Sequence, residues 1–220
     1  MILNNFDTTK MFEYENGFYA TSTEARFGKL LSHYELYKKI INLPGDVVEC
    51  GLFKGNSFFR FAHFRDLLES KNSRKIIGFD IFGKFPKTEY ENDKKYLDNF
   101  ISGAGESSIE LDEIEKIMKY KNIENYEFVK GDINITLPKY CTENQHQKIS
   151  LLHIDTDIYE PAVTILENMY ERVVSGGIII FDDYGTFPGE TKAVDDFFKN
   201  KKEKIQKLSL GLTPSFIVKE

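Results

Sequence analysis

The chain is poor in cysteine, in long apolar runs and in basic charge, and each shortage removes a class of function. Its two cysteines, Cys50 and Cys141, are too few and too far apart for a disulfide framework or a metal knuckle. They fit a reducing, cytoplasmic setting. No apolar stretch approaches the roughly 20 residues that span a bilayer. The opening MILNNFDTTKMFEYENGFYA also lacks the basic-then-apolar pattern of a secretion signal, so no membrane partner is expected. Acids outnumber bases, 35 to 29, for a net charge of −6. A nucleic-acid surface needs a basic stripe, so nucleic acid is not expected as the main partner either. Repeats and low-complexity linkers are absent. What remains, 41% hydrophobic and 29% charged residues, is the make-up of a globular α/β domain with one sizeable core.

Short β-branched runs alternate with helical spacing. Residues 1–22 are polar and aromatic, an arm or lid, and 22–43 carry Phe27, Leu30, Leu31, Tyr34, Tyr37 and Ile41 at helical intervals before Pro44-Gly45 breaks the pattern. Strands are expected at 46–50, 75–79, 126–130, 149–154 and 177–181, and helices at 56–69, 109–120, 161–174 and 190–200. A closing strand pair is expected at 205–210 and 215–219. This pattern predicts a Rossmann-like, doubly wound, mostly parallel seven-stranded sheet with an antiparallel C-terminal edge pair. Residues 1–43 are then an arm and helix serving as lid or dimer contact, and 44–220 the main domain. Residues 82–108 form a long polar insertion of the kind used as a lid, and its Phe82, Phe85, Tyr90 and Tyr96, with Phe18 and Tyr19 of the arm, are candidates to line a cleft.

The strand ends carry the chemistry. LLHIDTDIYEP delivers Asp155 and Asp157, and SGGIIIFDDYG delivers Asp182 and Asp183. Ligands in open α/β sheets bind beyond the carboxyl ends of the strands, and acids converging there from neighbouring strands make an oxygen-rich pocket suited to Mg²⁺. The competing role for Asp182-Asp183 is a helix cap or turn. GDVVECGLFKGNS places Glu49 before a glycine turn into a helix, where Asn56 and Ser57 begin a helix N-terminus that favours anionic groups. It is not GxGxxG, and Glu49 suits the ammonium of an amino-acid-like ligand. Asp80 closes the next strand, placed to accept from ribose hydroxyls, and Asp132 the third, within reach of an adenine amino group; either could instead be a turn former. His153, two residues before Asp155, reads as a packed core histidine before a base, His33 as structural or exposed, and Cys50 as a small buried residue.

GDVVECGLFKGNS, IIGFDIFGKFP, HIDTDIYEP and SGGIIIFDDYG, in that order, resemble the macrocin-type O-methyltransferases, class I S-adenosylmethionine-dependent enzymes that act on deoxysugar hydroxyls of macrolide and aminocoumarin antibiotics. The resemblance covers roughly residues 22–200. It implies S-adenosylmethionine and Mg²⁺ as cofactors, with Asp155, Asp182 and Asp183 as metal ligands and Asp155 also the general base. Glu49, Gly51, Asp80 and Asp132 match the family's cofactor contacts; Asn56, Ser57 and Asp155 complete the expected cofactor set. Asp157 and Glu160, in the same turn, are further ligands or supports. The expected substrate is a sugar or glycan-linked diol, nucleotide-linked or on a surface glycan, and a homodimer through residues 1–43 is consistent with the type. Two alternatives stay open: a non-sugar diol as acceptor, and a cofactor-binding module without catalysis. A phosphohydrolase would need a nucleophilic Asp after the first strand, and Glu49-Cys50-Gly51 has none.

Overall fold

The computed structural model describes residues 1–220. In chain order it contains β1 (Ile2–Leu3), β2 (Phe6–Asp7), α1 (Met11–Thr21), α2 (Glu24–Lys38), β3 (Asp46–Cys50), α3 (Asn56–Leu68), β4 (Ile76–Asp80), α4 (Glu91–Ala104) and α5 (Leu111–Tyr120). There follow β5 (Tyr126–Lys130), α6 (Ile133–Glu143), β6 (Ile149–Ile154), α7 (Tyr159–Met169), β7 (Val173–Phe181), α8 (Pro188–Phe198), β8 (Gln206–Lys207) and β9 (Ser215–Val218). The main sheet has seven strands in the order β5-β4-β3-β6-β7-β9-β8. All pairings among β3 to β7 are parallel, and β9 runs antiparallel to β7 and β8. This is the doubly wound architecture expected.

Strand alternation sorts the apolar side chains onto two faces. Val48, Cys50, Phe79, Leu152, Ile154, Ile179 and Phe181 pack under α6, α7 and α8. Val47, Ile76, Leu151, Ile178 and Ile180 pack under α2, α3 and α5. The chain runs outward from β3 through β4 to β5, then returns to place β6 against β3. The switch point therefore lies between the ends of β3 and β6, where a crevice opens.

Several boundaries differ from the sequence expectation. The insertion at 82–108 is not a loop: it carries the 14-residue α4. The ENDKK charges obscure its apolar stripe, although Leu97, Phe100 and Ala104 recur at helical intervals and line the cavity. Helix α6 was not expected because Pro138 lies inside it; Asp132 caps its start by accepting from Asn134 N at 2.9 Å. The strand expected at 205–210 shrinks to an exposed two-residue edge. The arm is a hairpin and the helix α1, which buries none of its residues. Phe18 and Tyr19 pack on Phe27 at ring distances of 5.4 and 5.7 Å, outside the cavity. No helix is long and apolar enough to cross a membrane.

Candidate active site

A cavity of about 330 Å³ opens at the switch point. Its floor begins at Gly51, where φ is +88° and a Cβ would stand 1.8 Å from the Asp155 carbonyl oxygen. The turn thus needs glycine because β3 and β6 pass in contact there, with Asp155 N donating to Cys50 O at 2.9 Å. Gly55, Asn56 and Ser57 then start α3, whose N-terminal dipole faces the cavity.

Glu49 is fully buried and stands behind Ser57, which lines the cavity and donates to Glu49 Oε1. Its Oε2 has no hydrogen-bond partner. Asp80 lines the cavity with its acceptor capacity already filled. Leu52 N and Phe53 N donate to Oδ2 at 2.7 and 3.1 Å, and Phe82 N and Ser108 Oγ to Oδ1 at 2.6 Å each. A carboxylate offers about four lone-pair sites, so Asp80 works here as the pin of the glycine turn. That departs from the free ribose acceptor expected of it. Asp132 lines the cavity beside Gly131 and Ile133 and keeps one oxygen outside its helix cap.

Next to the glycine turn, β6 and β7 run in register from Leu151↔Ile178 to Ile154↔Phe181, bringing the two acidic strand ends side by side. Asp155, Asp182 and Asp183 can each place an oxygen within 4.8 Å of the others. Asp157 joins them, buried and with φ +61°. Burial, and then the negative charge of Asp182, pushes the Asp155 carboxyl well above its usual range. Burial and Asp183 do the same to Asp157. Asp182 is the exception: burial would raise it, but Lys29 and two imidazoles outweigh that and hold it well below the usual value.

The sequence reading missed those partners. Lys29 of α2 reaches into the cluster and pairs with Asp182 Oδ2. His153, expected to be a packed core residue, donates toward Asp182 Oδ1 at 3.2 Å, and Asp182 and Glu49 raise it to about 10 against the opposing effect of burial. His33 lies 3.6 Å from the same oxygen, and burial drives it down to about 3. Glu190 of α8 accepts from Asp183 N at 3.0 Å, and burial raises it well above its usual value.

The remaining wall is the insertion. Phe85, Leu97 and Phe100, with Phe187, give it an apolar lining. Phe82 is instead core, packed on Phe128, and Tyr90 packs on Tyr159. Two carboxylates tie the insertion down. Asp93 accepts from Tyr159 N at 2.9 Å and Gly189 N at 2.7 Å, the starts of α7 and α8. Glu160 accepts from Glu89 N at 2.8 Å, and from Thr88 Oγ1 and Tyr90 N at 3.0 Å each. Glu160 is therefore a latch rather than a part of the carboxylate cluster. Arg26 and Arg60 also line the cavity, and neither makes a hydrogen bond or ion pair.

Comparison with known proteins places this geometry. The macrocin O-methyltransferase (TylF) family model matches residues 25–209. The chain is 27% identical over 171 residues to demethyldecarbamoylnovobiocin O-methyltransferase of Streptomyces niveus, a match covering 71% of this chain and 59% of that protein. It is 28% identical over 150 residues to 8-demethyl-8-(2,3-dimethoxy-alpha-L-rhamnosyl)-tetracenomycin-C 4'-O-methyltransferase of Streptomyces olivaceus, covering 64% of this chain and 54% of that one. The chain thus spans a little over half the length of these curated relatives. Among solved structures, the calicheamicin methyltransferase CalS11 shares the fold with a TM-score of 0.76 at 24% identity, over 96% of this chain and 86% of that one. A second structure of CalS11, described as a TDP-rhamnose 3'-O-methyltransferase, gives a TM-score of 0.69 at 25% identity, over 97% and 86%.

Proposed function

The chain belongs to the macrocin O-methyltransferase family, and from that membership we propose that it moves a methyl group from S-adenosylmethionine to a sugar hydroxyl, with a divalent cation such as Mg²⁺ held at the carboxylate cluster. One observation carries this reading: three carboxylates converge beside the glycine turn, in a cavity that Asp132 also lines.

The residues fit both absent groups. For the cofactor, Glu49 has an unpartnered buried oxygen and presents its charge through Ser57, suited to an ammonium. Arg60 and Arg26 are uncommitted cations for the adjoining carboxylate, and Asp132 beside Ile133 suits an adenine. For the metal, the donors are all oxygen, as a hard cation prefers, and Lys29 pairs directly with only one of the three carboxylates. Asp155, Asp182 and Asp183 would hold it. Once bound, the cation would act as a Lewis acid toward a sugar hydroxyl, and the cofactor would supply the methyl group.

The chain's own contribution is orientation, proton transfer and exclusion of water. Asp155 and Asp157 both line the cavity, placed to take a proton from a hydroxyl held there. Asp155 would be shared with the metal, so Asp157 is a second candidate base beside the expected one. The apolar wall of Phe85, Leu97, Phe100 and Phe187 suits the hydrophobic face of a sugar and shields the reacting atoms from water. The relatives named for a rhamnosyl group and for TDP-rhamnose support a sugar as the acceptor class. Apolar residues exposed on the arm, Met11, Phe12 and Tyr19, support pairing of two chains there, which light scattering would read.

The test is calorimetric titration of S-adenosylmethionine and S-adenosylhomocysteine with Mg²⁺ and with EDTA, followed by a panel of free, nucleotide-linked and glycan sugars. Micromolar binding and methylation of a sugar are expected. Absence of binding in both conditions rejects the methyltransferase reading, and transfer only to a catechol or other non-sugar diol rejects the sugar.

A further inference from the structure

Glu49 stands behind Ser57 at the cavity wall and Asp182 belongs to the carboxylate cluster, yet one buried side chain lies against both. His153 Nε2 is hydrogen-bonded to Asp182 Oδ1 at 3.2 Å, and its Nδ1 lies 3.4 Å from Glu49 Oε1, an ion-pair distance that falls short of hydrogen-bond geometry. All three side chains are 0–1% exposed. The sheet imposes this arrangement. Glu49 and His153 are register partners on β3 and β6, and His153 is the partner of Ile180 on β7, two residues before Asp182. Phe61 and His33 close the space around the ring, at centroid distances of 5.5 and 5.0 Å.

We infer that His153 is a positioning residue that couples the two ligand sites, so that cofactor binding beside Glu49 and cation binding at Asp182 depend on each other. This rests on the function proposed above. The argument is geometric. An imidazole carries its two nitrogens on different edges of a rigid ring, so tightening toward one carboxylate loosens the contact with the other. Glu49 has a free oxygen at which a new partner can change its position, and Asp182 has an oxygen paired with Lys29 that a bound metal would compete for. A shift at either acid therefore reaches the other through one contact on each side.

Coupling of this kind is reciprocal, which sets the experiment. S-adenosylhomocysteine is titrated into the full chain with Mg²⁺ and with EDTA, for the wild type and for His153→Phe and His153→Asn. In the wild type, Mg²⁺ is expected to change the dissociation constant about fivefold or more. In His153→Phe the ratio of the two constants should collapse to within about twofold of one, whatever happens to each constant. A merely structural lesion would scale both constants and leave the ratio unchanged, and that result overturns the inference. So does a wild-type ratio of one. If His153→Phe does not fold, Glu49→Gln tests the same link from the other end. Its Mg²⁺ affinity, read by thermal shift without cofactor, should move about threefold or more although Glu49 is not among Asp155, Asp182 and Asp183; an unmoved affinity refutes the coupling. Failure of the wild type to bind S-adenosylhomocysteine at all is a separate outcome: the functional reading falls, and the inference with it.

Discussion

The ammonium of Lys29 and the carboxylate of Asp182 are in direct contact at the inner edge of a cluster of carboxylates. Asp182 is 1% exposed, so this pair is held away from water. Burial would lower the lysine's proton affinity, but Asp182 and Asp155 outweigh it and keep the side chain charged. Lys29 thus supplies, within the protein, the positive charge that the cluster needs.

Replacing that cation should expose the competition. Lys29→Met leaves Asp182 buried without its partner, which costs about 3–5 kcal/mol. We expect a lowered melting temperature in EDTA and a larger Mg²⁺-induced rise than in the wild type, since a ligand bound only by the folded state stabilises it. An equal Mg²⁺ response in the two proteins would show that lysine and metal do not share Asp182.

Gly51→Ala should be severe. The new methyl group would stand 1.8 Å from the Asp155 carbonyl oxygen on a backbone with φ +88°. A loss of about 3 kcal/mol or more is expected, together with loss of S-adenosylhomocysteine binding. Gly17→Ala is the contrast: nothing lies within 4 Å of its added Cβ. It should stabilise the exposed helix α1 by up to about 1 kcal/mol. Denaturant melts of both variants check the pair.

The insertion should loosen when Asp93 is removed. Asp93→Ala leaves the amides of Tyr159 and Gly189 without their acceptor, at about 1–3 kcal/mol for each that stays buried. Amides of residues 91–104 should exchange faster with deuterium, and KM for the acceptor should rise more than kcat falls. Unchanged exchange would show that Asp93 does not hold the insertion down.

His33 should give stability an acid-side limit. Its proton affinity falls from the usual 6.5 to about 3 in the folded chain because it is buried. The unfolded chain takes up this proton below pH 6.5 and the folded chain does not, so this contribution is lost as pH falls toward 3. His33→Phe removes the titration. Relative to wild type it should gain about 1.4 kcal/mol for each unit of acidification below 6.5. Parallel stability curves from pH 4 to 8 would refute the assignment.

Arg60 should matter for the amino-acid part of the cofactor. A charged hydrogen bond contributes about 1.5–3 kcal/mol, so Arg60→Met should weaken S-adenosylhomocysteine about tenfold or more. 5′-Methylthioadenosine, which lacks the amino-acid moiety, should bind both proteins alike. Equal losses for the two ligands would place Arg60 elsewhere in the site's work.

The strands that frame the cavity were legible because their cause is local. Runs such as Ile149–Ile154 and Tyr126–Lys130 match the expected bounds, since a β-branched or aromatic run between turn residues has little else to form. The acids at strand ends were legible for the same reason: a parallel sheet carries its strand termini to one edge. What their side chains do there was not. Asp80 looks free in the sequence, yet it is filled by Leu52, Phe53, Phe82 and Ser108, whose approach depends on how the glycine turn folds back. Glu160 lies one turn from Asp155 and Asp157 but points to the insertion. His153 looks like one more residue in an apolar strand until register sets Glu49 and Asp182 against its two nitrogens. Lys29 lies 153 positions before Asp182 and meets it only because α2 packs over the ends of β6 and β7. Sequence by itself determined the order of the main-sheet strands, the family, and which strand-end acids would reach the carboxyl edge. Tertiary structure alone decided how those charges are shared, because the state of a buried acid is set by all the partners brought within a few ångströms of it, wherever in the chain they come from.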